Sequence, residues 1–251
     1  MSTRQTLPMV DAVALAPSDT TTRDVGVIIV AGGSGSRTGG AELKQFRWVA
    51  GKPMLLQALR AFQEHPAVAM VVCVLPRRYA GDPPPWLFQC DGDRMLVSVG
   101  GDSRAESVAN GLEDLPPECR TVLIHDAARP LVSFEMIDRV IAEARRGHGA
   151  IAALPVVDTL KAVDAEGRIT HTVPRTGLWR AQTPQGFPRE VIERAHREAM
   201  ANDTHATATD DAALCEAIGV EVRVVRGSER AMKVTEEGDF ARAEALAPLE
   251  D

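Results

Sequence analysis

The sequence predicts an open, mostly parallel α/β sheet with helices on both faces, and three observations lead to this fold class. Short apolar runs recur along the 251 residues, as expected for strands that are buried on both faces of a parallel sheet. Segments with helical periodicity lie between these runs, at spacings that allow β-α-β crossovers. Ligands bind such sheets beyond the carboxyl ends of the strands, so we expect functional residues directly after the apolar runs.

The strands are predicted from continuous apolar runs. The first run covers residues 25–30 (VGVIIV) and leads into a glycine-rich loop. The later runs have similar lengths and compositions, and they predict strands at residues 69–75, 95–99, 121–125, 150–157 and 220–225.

The helices are predicted from one-sided apolar spacing and from capping residues. Residues 53–65 place their apolar side chains on one helical face. Ser103 and Glu106 form a capping-box pattern that opens a helix extending to Gly111. The remaining predicted helices cover residues 134–144, capped by Ser133, then residues 188–200, and finally residues 211–218, ended by Gly219.

Residues 159–187 break this alternation and contain short extended segments without a helix of useful length. Residues 160–163 and 169–173 are predicted to form the two strands of a hairpin around Gly167. A hairpin that leaves the sheet can be an interaction arm or a surface flap of a monomer, and the pattern favours neither.

Length and composition limit the classes of function. We expect a single domain at residues 24–251, preceded by a flexible tail at residues 1–23 that is not a secretion signal. A net charge of −7 and an aromatic content of 4% disfavour a nucleic-acid-binding protein. No apolar run approaches the roughly 18 residues of a membrane span. The four cysteines form no CxxC pair, which disfavours a zinc site and is typical of a protein of the reducing cytoplasm.

The glycine-rich loop AGGSGSRTGG, residues 31–40, directly follows the first strand. It matches neither GxGxxG before a helix nor GxxxxGK[ST], so it is not one of these two nucleotide-binding motifs. Its glycines still allow successive backbone N–H groups to approach a phosphate closely. Arg37 and Lys44 add the cations that a triphosphate needs. A flexible turn with two solvated cations is the alternative.

Two further strand ends carry residues suited to nucleotide chemistry. The glycines of GGDSRAES place backbone amides and Ser107 where they could bind a base, although a simple strand-turn-helix junction would look the same. Asp126 ends a buried strand near the predicted triphosphate, which suits a Mg²⁺ ligand that shares the ion with substrate phosphates. An aspartate that caps the turn is the alternative. His125 is interpreted as a structural residue.

The motifs AGGSGSR, LKQF, GGDSRAESV, HDAARP, PVVDTLK, HTVPRTGLWRAQTPQ and MKVT occur in this order between about residues 25 and 244. As an ordered set, they resemble the 2-C-methyl-D-erythritol 4-phosphate cytidylyltransferases of the non-mevalonate isoprenoid pathway. The resemblance implies a Rossmann-like sheet of the nucleotide-diphospho-sugar transferase type with a protruding hairpin arm. It also implies CTP and Mg²⁺, with no organic cofactor, and an acceptor phosphate that attacks the α-phosphorus of CTP.

The resemblance assigns roles to individual residues. Arg37, Lys44 and Lys233 are implied to stabilise the charge of the transition state, and Asp126 to support the metal. The implied CTP site comprises Ala31, Gly32, Gly33, Gly101, Asp102, Ser107 and Ala127.

The resemblance also implies how the acceptor is bound. The implied acceptor site comprises Thr159, Arg175 and Thr183. The arm within residues 159–187 is implied to exchange across a homodimer, so that Thr159 and Arg175 serve the neighbouring subunit.

Two alternatives remain open at this point. An enzyme of the same fold that uses ribitol 5-phosphate would need the same cations and metal site and would differ in the acceptor pocket. A non-catalytic nucleotide-binding relative is the other alternative. Degenerate relatives tend to lose catalytic groups, so the presence of Arg37, Lys44, Asp126 and Lys233 disfavours it.

Overall fold

The computed structural model of the chain describes residues 22–32 and 43–248. Gly33 and Arg37, two of the predicted site residues, lie outside the described residues, as does nearly all of the predicted tail. The last two residues of that tail contact the domain. Arg145 donates a hydrogen bond to the Thr22 carbonyl at 2.8 Å, and Arg23 donates one to the Pro66 carbonyl at 3.4 Å.

A seven-stranded sheet forms the centre of the described structure, and its strands lie in the order β11 (Val222–Arg226), β7 (Gly149–Pro155), β10 (Trp179–Pro188), β6 (Thr121–Asp126), β1 (Val25–Val30), β4 (Val68–Leu75) and β5 (Met95–Val99). Six strands run in the same direction, and β10 runs antiparallel to both of its neighbours. This arrangement confirms the predicted open, mostly parallel α/β sheet.

Helices cover both faces of the sheet, as the alternating pattern predicts. On one face, α1 (Met54–Gln63) and α4 (Phe134–Arg145) pack their apolar sides against β1, β4 and β7. On the other face, α3 (Arg104–Asp114), α5 (Arg189–Ala201) and α6 (Asp211–Ala217) pack against β1, β4 and β6. Alternate residues of β1 enter the two cores, which is why its run is apolar throughout.

Most predicted boundaries agree with the structure to within two residues. Ser133 caps α4 as predicted, with its hydroxyl accepting a hydrogen bond from the Met136 N–H group. Gly219 follows α6 with φ +73°, the left-handed conformation that suits a helix end. The strand predicted at residues 220–225 begins two residues later, at Val222.

β10 corrects the prediction for residues 159–187, where the sequence pattern indicated only short extended segments. Its ten residues form an inner strand of the main sheet. The apolar pattern typical of a buried strand is interrupted by three residues that are polar yet buried, namely Gln182, Thr183 and Gln185. Each forms side-chain hydrogen bonds, which makes the burial of these polar groups tolerable.

The predicted hairpin is present as β8 (Leu160–Val163) and β9 (Ile169–Val173), paired only with each other. Gly167 lies in its turn with φ +80°. In the described part of the chain, four further strands and α-helices were not predicted. These are the two-residue strands β2 (Trp48–Val49) and β3 (Lys52–Pro53), and the helices α2 (Arg77–Ala80) and α7 (Glu237–Leu246).

None of the helices in the described part of the chain is both long and apolar enough to cross a membrane.

Candidate active site

A cleft of about 400 Å³, here called the glycine cleft, opens at the carboxyl ends of β4 and β5. Backbone hydrogen bonds draw the strand ends together. Ala31 donates to the Val74 carbonyl at 2.9 Å, and Gly100 donates to the Leu75 carbonyl at 2.7 Å. The lining consists mainly of backbone and small or polar residues: Gly32, Pro76, Arg77, Val99, Gly100, Gly101, Asp102, Glu106 and Asn110.

Two glycines are needed where the backbones of the cleft meet. A Cβ atom on Gly32 would lie 3.1 Å from Ser107 Oγ. A Cβ atom on Gly100 would lie 3.2 Å from the Leu75 carbonyl oxygen and 3.3 Å from Gly32 Cα. Any side chain at Gly100 would therefore press two strand ends apart, and the shape of the cleft depends on its absence.

Side chains at the start of α3 fix the loop that borders the cleft. Ser103 Oγ accepts a hydrogen bond from the Glu106 N–H group at 3.0 Å, as predicted. Glu106 does not complete the predicted capping box, because its carboxylate accepts from the Asp102 N–H group at 2.7 Å. Ser107 Oγ accepts from the Gly101 N–H group and donates to the Ser103 carbonyl. The Ser107 hydroxyl, predicted to contact a base, therefore holds the loop in shape.

A second group of residues, here called the charged cluster, comprises Arg104, Asp126, Asp211 and Lys233. Asp126 ends β6, and its side chain is 12% exposed. One of its oxygens accepts from Lys233 Nζ at 2.8 Å, and the other lies 3.3 Å from Arg104 Nε. Arg104 also donates to Asp211 Oδ2 at 2.7 Å. The cluster thus joins the start of α3, the end of β6, the start of α6 and the segment before α7.

The two carboxylates of the cluster are ionised at neutral pH. Burial opposes the charge of Asp126, but Arg104 and Lys233 outweigh this and hold the pKa of that carboxyl far below its usual range. The pKa of Asp211 is also lowered, since Arg104 and His196 outweigh the effect of burial. In turn, the two carboxylates raise the pKa of Arg104 against the effect of its own burial.

The segment that carries Lys233 is fastened to the loop after β6. The Val234 N–H group donates to the Ala128 carbonyl at 2.8 Å. Arg129, which is buried, donates to the Ala231 carbonyl at 2.7 Å. These contacts bring a lysine from near the end of the chain to Asp126. Ala127, a predicted CTP residue, lies in the same loop and donates to the Val30 carbonyl at 3.1 Å.

A chain of hydrogen bonds beneath Asp126 orients the end of β6. The Asp126 N–H group donates to Thr183 Oγ1 at 3.1 Å, and Thr183 Oγ1 lies 3.0 Å from His125 Nδ1. The other nitrogen, His125 Nε2, lies 2.9 Å from the Arg129 carbonyl oxygen. These partners fit a neutral imidazole that is protonated at Nε2, with the Thr183 hydroxyl donating to Nδ1. Burial lowers the pKa of His125 to about 4, in agreement with its predicted structural role.

The same hydrogen bonds limit what Thr183 can do. Its side chain is buried, and its one proton is directed to His125. As an acceptor-binding residue it would have to exchange that partner or offer only an oxygen lone pair. In the structure, its clearest contribution is to orient Asp126.

Lys44 lies beside the carboxyl end of β1. It begins a 3₁₀ helix at Lys44–Phe46, and the next residue, Gln45, donates to the Ala31 carbonyl at 2.6 Å. The turn that carries Lys44 is therefore tied to the first residue after the strand, next to the predicted glycine-rich loop.

Thr159 and Arg175 lie at the base of the hairpin, on either side of β8 and β9, and both are exposed. Arg175 donates to the Val157 carbonyl. Within the described residues, no hydrogen bond or ion pair connects either residue to the charged cluster. The structure therefore does not bring the predicted acceptor residues Thr159 and Arg175 together with Thr183 through direct contacts.

The charged cluster fits a metal ion only if a bound nucleotide supplies further ligands to that ion. Among the described residues, no three His, Cys, Asp or Glu side chains lie close enough to hold an ion by themselves. Asp126 offers a single carboxylate, and its oxygens already contact Lys233 and Arg104. Mg²⁺ is commonly held by one or two carboxylates together with substrate phosphates and water. This donor set fits a Mg²⁺ ion that arrives bound to a triphosphate.

Three residues of the site were not singled out from the sequence. Arg104 stands within the quoted motif GGDSRAESV, yet its charge was given no role. Arg129 and Asp211 received none either. An ion pair between residues 107 positions apart, such as Arg104 and Asp211, leaves no local pattern in the sequence. The one available signal was that each charged residue lies next to a predicted helix start or strand end.

Comparisons with known proteins agree with one another. The family model described as IspD, 2-C-methyl-D-erythritol 4-phosphate cytidylyltransferase, matches residues 25–248. A protein of that name from Salinibacter ruber is 44% identical over 224 residues, which cover 88% of this chain and 92% of the relative.

Solved structures give the same result. The crystal structure of 2-C-methyl-D-erythritol 4-phosphate cytidylyltransferase from Thermus thermophilus is 36% identical, with a TM-score of 0.75. It covers 90% of this chain and 100% of its own. The 4-diphosphocytidyl-2C-methyl-D-erythritol synthase from Anaerococcus prevotii is 27% identical, with a TM-score of 0.77, and covers 92% of this chain and 100% of its own. The chain belongs to the 2-C-methyl-D-erythritol 4-phosphate cytidylyltransferase family.

Proposed function

We propose that this protein transfers the cytidylyl group of CTP to 2-C-methyl-D-erythritol 4-phosphate, releasing pyrophosphate and forming 4-diphosphocytidyl-2-C-methyl-D-erythritol. Family membership supports the substrates. The observation that carries the chemistry is the position of the charged cluster at the carboxyl edge of the sheet, near a cleft lined by backbone amides. That edge is where α/β sheets bind their ligands.

In this reaction, an oxygen of the acceptor phosphate attacks the α-phosphorus of CTP. The bond from the α-phosphorus to the bridging oxygen breaks, and that oxygen leaves with pyrophosphate. Such transfers require mainly positioning and neutralisation of charge from the protein. Lys44 and Lys233 approach the site from opposite ends of the chain, and we assign them to the phosphates. Arg37 is expected to join them from the glycine-rich loop.

Asp126 would contribute one carboxylate oxygen to a Mg²⁺ ion carried by CTP. When bound, the ion would neutralise phosphate charge. Lys233 would then be free to exchange its contact with Asp126 for a phosphate oxygen, because the ion replaces the positive charge beside that carboxylate.

The glycine cleft is the proposed site of the cytosine base. Its volume of about 400 Å³ is adequate for a nucleoside, and the backbone of Gly32, Gly101 and Asp102 borders it. Donors and acceptors of the backbone lie at fixed positions. They can therefore distinguish bases by their hydrogen-bonding edges without a charged side chain.

We further propose that the hairpin joins two copies of the chain. Its strands pair only with each other, and the hairpin and the segments next to it expose large apolar side chains, namely those of Val157, Val163, Ile169, Leu178 and Trp179. Covering such side chains is a common function of a protein interface. Exchange of the hairpin would bring Thr159 and Arg175 to the acceptor site of the other copy.

The four cysteines support a place in the reducing cytoplasm. All four are free thiols, and three are buried. Burial raises the pKa of Cys90 to about 11 and that of Cys215 to about 12, so neither thiol is reactive at neutral pH.

The first experiment measures pyrophosphate release by the purified protein with CTP and Mg²⁺. Two acceptors are compared, 2-C-methyl-D-erythritol 4-phosphate and ribitol 5-phosphate. We expect release with the erythritol phosphate alone. Release with ribitol 5-phosphate alone would support the proposed type of reaction but contradict the proposed acceptor. No release with either acceptor would contradict the proposed activity.

A second experiment tests shared active sites. Lys44→Ala and Arg175→Ala chains are purified separately, mixed, and allowed to exchange subunits. If the hairpin reaches the neighbouring copy, one site of each mixed dimer contains both native residues, and activity returns. Mixtures that stay as inactive as the separate variants would contradict the exchange.

A further inference from the structure

The start of α6 contributes Asp211 to the charged cluster and does not line the glycine cleft. Asp211, its first residue, has a side chain that is only 1% exposed. A buried carboxylate is costly unless its charge is paired and its lone pairs are used. Its contacts therefore indicate why the fold keeps a charge in this position.

Both oxygens of Asp211 have partners. Oδ2 accepts from Arg104 at 2.7 Å, and Oδ1 lies 3.2 Å from His196 Nε2. The other nitrogen of His196 lies 2.8 Å from Nε2 of His205, so the imidazole is held from both sides. Among the described residues, Arg104 is the only lysine or arginine that pairs with Asp211. The buried carboxylate thus has one strong cationic partner, and that partner belongs to the charged cluster.

The guanidinium of Arg104 extends from this buried anchor toward the site. Its side chain is 28% exposed, and its second contact, to Asp126, is the longer one at 3.3 Å. A guanidinium has five N–H groups, and two of them take part in these contacts, so three remain. The short contact to Asp211 holds the group in place, while the long contact and the remaining donors are available to an oxyanion.

The local charge also favours an anion. Arg104 and Lys233 balance the two negative charges of Asp126 and Asp211, and the buried Arg129, which lies close enough to lower the pKa of Asp126, brings the sum of these five charges to +1. The whole chain carries −7. The cluster together with Arg129 is therefore locally positive within a protein of negative net charge. Planar guanidinium groups bind phosphate oxygens through two parallel hydrogen bonds.

We propose that Arg104 contacts the triphosphate of CTP and that Asp211, oriented by His196, is a positioning residue that holds the Arg104 guanidinium in the site. This proposal rests on the proposed function, because it takes CTP as the nucleotide. It adds a phosphate contact from α3 and a supporting shell from α5 and α6 to the residues already assigned.

The test compares Arg104→Ala, Asp211→Asn and the double variant. We measure the Kd of CTP by calorimetry and kcat and KM by pyrophosphate release. Loss of charge-assisted contacts should weaken CTP binding by about 10- to 100-fold in Arg104→Ala. Asp211→Asn should weaken it in the same direction by less. The double variant should be no weaker than Arg104→Ala, because without Arg104 there is nothing for Asp211 to hold.

Asp210→Asn is the matched control. Asp210 is the adjacent carboxylate at the start of α6, where it caps Ala213 and accepts from Gln185 without contacting Arg104. The same substitution there should alter thermal stability at most and leave the Kd of CTP unchanged. If the role of Asp211 were only structural, Asp210→Asn and Asp211→Asn would both change thermal stability and leave the Kd of CTP unchanged.

Three results would overturn the proposal: an unchanged Kd in Arg104→Ala, an unchanged Kd in Asp211→Asn, or single effects that multiply in the double variant. If Asp211→Asn does not fold, His196→Gln replaces it. That variant should weaken CTP binding slightly in the native background and not at all in Arg104→Ala. Calorimetry needs no acceptor, so an inactive wild-type protein that binds CTP would contradict the proposed reaction while still deciding the role of Arg104.

Discussion

The glycine cleft and the charged cluster lie at the same edge of one sheet, yet they are built by different means. The cleft owes its shape to missing side chains, since Gly32 and Gly100 let strand ends approach within about 3.3 Å of a would-be Cβ atom. The cluster consists of charged side chains from four separate segments, held by ion pairs. One region is made by close backbone packing and the other by electrostatics.

This difference teaches what each region can tolerate. A cleft formed by backbone is insensitive to ionic strength but should respond to a single added methyl group. A cluster formed by charges should tolerate small changes in shape but not the loss of a charge. We expect cleft variants to change which nucleotide is preferred, and cluster variants to lower the rate with every nucleotide.

Removing a charge from the cluster gives the largest expected effect. Lys233→Ala should lower kcat by about 10² to 10³, the scale of losing one oriented transition-state donor. The preference for CTP over UTP should stay the same, because the cleft is untouched. Steady-state rates with both nucleotides test this, with the exposed Lys52→Ala as control. A changed preference would show that the two regions act as one.

The second-largest expected effect concerns His125, which helps to orient the end of β6 beneath Asp126 of the charged cluster. The pKa of His125 is about 4 in the folded chain and near 6.5 otherwise, so the unfolded chain binds the proton more tightly. The stabilisation from the neutral imidazole is therefore complete above about pH 6.5 and is lost as the pH falls to about 4. The loss should be about 3 kcal/mol of unfolding free energy.

Urea unfolding at a series of pH values measures this loss. His125→Gln keeps a donor for the Arg129 carbonyl and should flatten the profile between pH 6.5 and 4. Some slope should remain, since burial also lowers the pKa values of His65 and His205. An unchanged profile in the variant would exclude His125 as the cause.

A third effect concerns the cleft. In Gly100→Ala, the added methyl would press on the Leu75 carbonyl and on Gly32, so we expect a shift of about 1 to 2 kcal/mol against CTP binding. The KM of CTP should rise and the preference over UTP should fall. Gly81→Ala is the control, because a Cβ atom there would meet nothing within 4 Å. Equal effects of the two variants would contradict the role given to close packing.

The smallest effect is expected away from both regions. Arg47 pairs with Glu237 through two short hydrogen bonds, at the point where α7 meets the segment before β2. Glu237 is exposed, and surface ion pairs contribute little. Glu237→Gln should leave activity unchanged and lower the thermal midpoint slightly, with the difference vanishing at high salt. A large loss of activity would mean that α7 supports Lys233 through this pair.

Sequence reasoning succeeded where the determining interactions are local. The apolar runs predicted the ends of the parallel strands to within two residues. Ser133 predicted the start of α4, where its hydroxyl accepts a hydrogen bond from the Met136 N–H group. It failed where the interactions are distant. β10 was missed because the partners of Gln182 and Gln185 lie 25 to 49 residues away.

The site residues show the same contrast between local and distant interactions. The positions of Gly32, Gly101 and Asp126 at the carboxyl edge of the sheet could be predicted because each lies within two residues of the end of a predicted strand. Lys233 could be assigned only through resemblance to a family, since no local pattern links it to Asp126. The partners of Asp211 and His196 could not be predicted, because their contacts with each other and with Arg104 arise from helix packing that only the structure reveals.

The attachment of Lys233 to the loop after β6 has a consequence for synthesis of the protein on the ribosome. Asp126 is translated 107 residues before the lysine that neutralises it. A nascent chain that ends before residue 233 contains all of β1, β4, β5 and β6, yet it presents Asp126 without its lysine. Such a chain contains every residue that lines the glycine cleft but lacks a charge assigned to the phosphates. Translation therefore completes the reactive part of the site only after Lys233 has been synthesised.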